Sequence, residues 1–153
     1  MSRTNKKIHY GQHELDDNDI QAVLDVLKNS SITQGQNVED FGQALADYAG
    51  AKYGVAVSSG TAALHLSVVA LGLGSGDEVI TTPITFCATS NAALYQGADV
   101  KFVDIDENTL NIDSNLIEAK ITKRTKAIMP VDFRGHPANL PEIRKIADKY
   151  NLK

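Results

Sequence analysis

Between residues 53 and 150 the chain alternates repeatedly between short β-branched runs and stretches of helical period. Residues 53–57, 78–81, 100–103 and 127–131 read as strands, because apolar and β-branched side chains crowd into a few consecutive positions. Residues 61–71, 86–96, 114–120 and 141–150 read as helices, the last with Pro141 near its first turn. Strands that alternate with helices build βαβ crossovers, and these give a mostly parallel sheet with helices on both faces. The expected fold class is therefore α/β.

Two helices are expected before the alternation begins. Asp16 or Asp17 supplies an N-cap, and Ile20, Val23, Leu24 and Leu27 then recur on one helical face. Residues 29–36 are polar and contain Gly35, as an ordered loop would. A second helix follows, with Val38, Phe41, Leu45 and Tyr48 expected to point inward and Gly50 to stop it. The reading divides the chain into residues 1–35, a helix with its loop, and residues 36–153, a larger domain.

Charge and polarity exclude several classes of partner. The net charge is −4 and no basic cluster is longer than Lys6-Lys7, so no surface here suits a nucleic-acid backbone. The N-terminal stretch has charges but no apolar core behind them, and so does not read as a secretory signal. Residues 64–73 are interrupted by His65, Ser67 and Gly72, too polar and too short to span a bilayer. Cys87 is the single cysteine, which fits a reducing, cytoplasmic setting. His9, His13, His65 and His136 lack metal-ligand spacing with one another or with Cys87, so no metal site is expected.

Two segments carry chemistry. Val57-Ser58-Ser59-Gly60-Thr61-Ala62-Ala63-Leu64 is a strand, a small-residue turn and a helix start. Free N–H groups and the positive end of a helix dipole favour a phosphate there, although a plain helix cap would look the same. Thr81-Thr82-Pro83-Ile84-Thr85-Phe86-Cys87-Ala88-Thr89-Ser90-Asn91 is a strand end, a polar turn and an aromatic opening a helix. Phe86 beside a phosphate turn can stack on a planar cofactor ring, whereas a lone Phe elsewhere belongs in a core. The glycine run at 72–76 follows a helix, not a strand, and reads as a connection instead of a dinucleotide fingerprint.

In that order, "ITQG" (32–35), "SSGTAALHL" (58–66), "GDEVITTPITFCATSNA" (76–92) and "FVDID" (102–106) resemble the DegT/DnrJ family of pyridoxal-phosphate-dependent sugar-nucleotide aminotransferases of fold type I. The resemblance implies an incomplete fold-type-I large domain. It implies that Ser59, Gly60, Thr61 and Ala62 hold the cofactor phosphate and that Phe86 stacks on its ring. Tyr10, Ser30, Ser31, Ile32, Thr33 and Gly60 match positions that touch the sugar nucleotide. Within the family, "IHYGQ", "LKNSSITQG" and "KAIMPVDFRG" look most like the pseudaminic acid subgroup. The implied substrates are a UDP-linked 4-keto-6-deoxy sugar, aminated at C4, and glutamate as amino donor, with a homodimer as the working form.

Transamination also needs a lysine that joins the cofactor and an acid that pairs with its ring nitrogen. The resemblance puts both beyond Lys153. The only Ser-x-x-x-x-Lys spacing is Ser2 to Lys7, with no strand before it. Lys120, Lys123, Lys126, Lys145 and Lys149 read as solvated charges, and Asp104, Asp106 and Asp132 as caps and turns. The expectation is a transaminase by family whose first 153 residues alone are inactive. A sugar dehydratase of the same fold and a non-catalytic remnant with only a phosphate or sugar-nucleotide pocket are the competing expectations.

Overall fold

The computed structural model describes residue 11 and residues 13–153, which divide into two compact units between residues 56 and 57. In the first unit, helix α1 (Asp17–Asn29) starts at a capping box. The Asp16 carboxylate accepts from the N–H groups of Asn18 and Asp19, and Asp19 accepts from the Asp16 N–H. These backbone bonds, Asp19 first, hold the Asp16 carboxyl below its ordinary range. Helix α2 (Gln36–Ala49) stops at Gly50, whose φ of 64° is the left-handed turn-off that glycine takes readily.

One expectation fails here. Val38, Phe41, Leu45 and Tyr48 do not point into a core; all are exposed, as are Ile20, Val23, Leu24 and Leu27 on α1. The buried positions of α2 are Gly42 and Ala46. Small residues win because the backbone of residue 54 lies directly on the helix: a Cβ on Gly42 would stand 2.9 Å from the Gly54 oxygen. An apolar stripe marks the amphipathic face of a helix, but not what covers it.

The second unit is the α/β layer. Helix α3 (Gly60–Ala70) leads to strand β1 (Glu78–Thr81), helix α4 (Ala88–Tyr95) and strand β2 (Asp99–Phe102). Helix α5 (Ser114–Ile117) tightens into a 3-10 turn at Glu118–Lys120, then come strand β3 (Thr125–Met129) and helix α6 (Leu140–Tyr150). The sheet is parallel, in the order β2-β1-β3, with Val79 opposite Val100 and Ala127. Successive strand side chains face opposite ways, and this sets the two cores. Val79 and Ala127 pack with Val68, Leu73, Ala92 and Ala93 on the α3/α4 face. Ile80 and Ile128 pack with Ile117, Ile143 and Ile146 on the α5/α6 face. Helices thus cover both faces, as the alternation predicts.

The predicted strand at 53–57 is not one. The segment has no ladder partner among the described residues, and a β-branched run becomes a strand only when a neighbour takes its backbone hydrogen bonds. At the far end, Lys153 donates to the Lys126 carbonyl (2.9 Å) and accepts from Ile128 N–H (2.8 Å), a parallel step beside β3. The glycine run at 72–76 is the connection expected, turning at Gly72 (φ 68°) and Gly76 (φ 91°). Among the described residues no helix is long and apolar enough to cross a membrane.

No local pattern marks Glu78, a fully buried carboxylate at the start of the central strand. Its Oε2 accepts from the hydroxyls of Thr122 and Thr125, and its Oε1 faces Arg124 Nη2 (2.5 Å) and Lys101 Nζ (3.5 Å). The Thr122 hydrogen bond, then the two cations, outweigh desolvation and hold the carboxyl below its ordinary value of 4.5. A group depressed on folding contributes stability above its unfolded pKa, and that contribution is lost as pH falls through the folded value. We therefore expect stability to drop as pH is lowered below about 4.5, and Glu78→Gln to flatten that drop while costing about 1–3 kcal/mol at pH 7. Urea unfolding at both pH values checks this; an unchanged acid limb in the variant would assign the acid sensitivity elsewhere.

Candidate functional site

In an open parallel sheet, ligands bind beyond the carboxyl ends of the strands, where the strand order reverses. Here β1 is that point, since β2 lies on one side of it and β3 on the other. Helix α3 feeds into the start of β1 and α4 leaves its end, and the two pack together through Val68, Ala92 and Ala93. Their N-termini therefore both face the carboxyl edge of the sheet.

At the first of these N-termini, Ser59 is the cap. It is extended (φ −166°, ψ 162°), and its hydroxyl oxygen accepts from Ala62 N–H at 3.2 Å. Its carbonyl takes Ala63 N–H at 3.1 Å. The N–H groups of Gly60 and Thr61 have no acceptor among the described residues. The Ser59 O–H remains a donor, because its cap bond uses only a lone pair. Gly60 is exposed, and a Cβ built on it would meet nothing within 4 Å, so the approach to these donors is open. Two free N–H groups, a hydroxyl and the helix dipole converge on one small volume, and such a set suits a dianionic phosphate.

At the second, the chain leaves β1 through a turn held by hydroxyls. Thr81 Oγ1 donates to the Met129 carbonyl at 2.7 Å, and Thr82, fully buried, receives Ile84 N–H at 3.4 Å. Thr85 and Thr89 share a hydrogen bond of 2.8 Å across Phe86. Phe86 itself, at the carboxyl edge of the sheet, is 72% exposed and belongs to neither buried core of this unit. Cys87 beside it is exposed as well.

The structure thus puts Ser59, Gly60, Thr61 and Ala62 on one helix start and Phe86 on the turn after the neighbouring strand. Ser30, Ser31, Ile32 and Thr33 lie in the α1–α2 loop of the other unit, all exposed. That loop is tied by Ser31 Oγ donating to the Thr33 carbonyl at 2.7 Å. Gly35 closes it, since a Cβ there would stand 2.6 Å from the Ser31 oxygen. Tyr10 lies outside the described residues.

The acids near the strand ends act as the sequence suggests. Asp106 caps the N–H groups of Asn108 and Thr109, and these bonds, Thr109 first, hold its carboxyl below the ordinary range. Asp132 accepts from Ala138 N–H at 2.9 Å. Lys145 and Lys149 are paired with Glu142 and Glu118, while Lys120, Lys123 and Lys126 are exposed. Among the described residues no cluster of His, Cys, Asp and Glu is placed to hold a metal. The Thr85–Thr89 pair escaped the sequence reading, although hydroxyls spaced i, i+4 around an aromatic are a visible signal.

Comparison with known proteins agrees in fold and sequence. The profile of the DegT/DnrJ/EryC1/StrS aminotransferase family matches residues 13–153. The chain is 43% identical over 95% of its length to a UDP-4-amino-4,6-dideoxy-N-acetyl-beta-L-altrosamine transaminase of Campylobacter jejuni, 39% of which it covers. It superposes on Helicobacter pylori PseC, an aminotransferase involved in the biosynthesis of pseudoaminic acid, with a TM-score of 0.86 and 35% identity. That match covers 96% of this chain and 40% of the other. NtdA of Bacillus subtilis, solved with bound cofactor PMP, matches with a TM-score of 0.83 and 37% identity over 91% of this chain and 33% of its own. The chain spans 35–40% of the length of the curated relatives it matches.

Proposed function

Because the chain belongs to the DegT/DnrJ/EryC1/StrS aminotransferase family, we propose that it forms the phosphate cradle and ring shelf of an enzyme that transfers an amino group from glutamate to C4 of a UDP-linked 4-keto-6-deoxy sugar with pyridoxal phosphate. The observation that carries this reading is the pairing of an open, donor-rich helix start at Ser59–Gly60 with an uncovered Phe86 at the same sheet edge. Those residues fit a phosphorylated planar ring. Gly60 and Thr61 N–H and the Ser59 hydroxyl take the phosphate oxygens, Thr61 and Ala62 seat the first helical turn, and Phe86 backs the ring.

When bound, the cofactor supplies an electron sink for bonds to the amino-bearing carbon. The chain's own part is to bind and orient. Fixing the phosphate at one end and the ring face at the other leaves a single tilt, and such orientation contributes to rate by itself. We assign Tyr10 and residues 30–33 to the sugar nucleotide, whose hydroxyls and diphosphate suit a phenol, hydroxyls and open backbone. The lysine that joins the cofactor and the acid that pairs with its ring nitrogen are assigned outside these 153 residues, so this stretch alone transfers nothing. The working enzyme is then a cytoplasmic homodimer serving pseudaminic acid synthesis.

The test is a mass balance. With pyridoxal phosphate, glutamate and a UDP-4-keto-6-deoxy sugar, the full protein is expected to yield one 2-oxoglutarate per amino sugar over many turnovers. Loss of water from the sugar with no 2-oxoglutarate formed would replace the transferase with a dehydratase.

A further inference from the structure

Phe86 is 72% exposed and belongs to neither buried core, so its orientation depends on the turn that carries it. An uncovered aromatic on a free turn would sample many orientations, and a ligand that stacks on it would have to order the turn on binding. The turn is not free. Thr85 and Thr89 flank Phe86, and their hydroxyls are bonded to each other at 2.8 Å. Thr89 is 6% exposed and also donates its N–H to the Phe86 carbonyl at 3.0 Å. Thr89 therefore grips the turn twice, once at the aromatic's own carbonyl and once at the residue before it. The root of the same turn is fixed to the sheet by Thr81, whose hydroxyl reaches Met129 on β3.

We infer that Thr89 is a positioning residue: through its hydroxyl bond to Thr85 it holds the Phe86 ring in the orientation that stacks on the cofactor. This rests on the cofactor reading proposed above. Thr89 reaches the Thr85 hydroxyl and the Phe86 carbonyl through its two hydrogen bonds. It acts by making the shelf rigid before the ligand arrives, as a supporting residue behind a binding group does.

The experiment is a binding cycle on the full protein with pyridoxal phosphate as the probe. Thr89→Val keeps the branched shape and removes the hydroxyl, while Thr89→Ser keeps the hydroxyl. We expect Thr89→Val to raise the dissociation constant about 5- to 10-fold, the weight of one hydrogen bond, with the melting temperature of the cofactor-free protein moved by no more than a few degrees. Thr89→Ser is expected to bind within about 2-fold of the parent, and in a Phe86→Ala background the Thr89→Val effect should vanish. Unchanged binding by Thr89→Val, in a parent that binds, overturns the inference alone. A loss that persists in the Phe86→Ala background does the same, because it shows a general structural role. A parent that binds no pyridoxal phosphate overturns the cofactor reading and this inference with it.

Discussion

Gly60→Asp is expected to weaken pyridoxal phosphate binding about 30-fold or more, because like charges brought together cost several kcal/mol. It should do so without loss of stability. Residue 60 is the first of α3, its backbone is not left-handed, and a Cβ there meets nothing within 4 Å. An acid in the first turn of a helix adds about 0.3–1 kcal/mol through the dipole. The variant is thus expected to unfold in urea at the parent's midpoint or slightly above it while its cofactor titration shifts far to the right. That divergence separates a phosphate cradle from an ordinary cap. If the helix start were only a cap, an added aspartate would leave the titration where it was.

Gly54→Ala is expected to destabilise the chain by about 3 kcal/mol, as overpacking against an unyielding wall does. A Cβ on residue 54 would run into the Gly42 carbonyl oxygen, 2.9 Å from that carbonyl carbon and 3.3 Å from the Ala46 nitrogen. All three atoms are backbone, so no rotamer change relieves the contact. Gly50→Ala is the natural comparison. It has open space around it but a φ of 64°, so its cost is conformational, about 1 kcal/mol. Urea midpoints, with hydrogen exchange on the α2 amides, measure both. Equal effects at 50 and 54 would mean that the close approach of α2 and residue 54 is not what packs this unit.

Local signals were legible in the sequence, and distant partners were not. Residues 78–81 form β1 as their β-branched run suggests, Asp16 caps α1, and Gly50 ends α2, because each depends on a few neighbouring residues. Residues 53–57 carry a β-branched run as 78–81 do, but among the described residues they lack the neighbour that would make them a strand. The stripes of α1 and α2 show the period correctly and their burial wrongly, since period says nothing about a cover. Glu78 was invisible because its partners come from residues 101, 122, 124 and 125, brought together only by the parallel sheet. The site divides along the same line. Ser59 to Ala62 was readable as one turn; the uncovered state of Phe86 and the hydroxyl pair that supports it needed the fold.

The most direct measurement is a crystal structure of the full protein grown with pyridoxal phosphate. The account predicts phosphate oxygens within hydrogen-bonding distance of the Gly60 and Thr61 N–H groups, with the ring lying flat against Phe86. A phosphate bound away from α3, or a ring that leaves Phe86 uncovered, would contradict it.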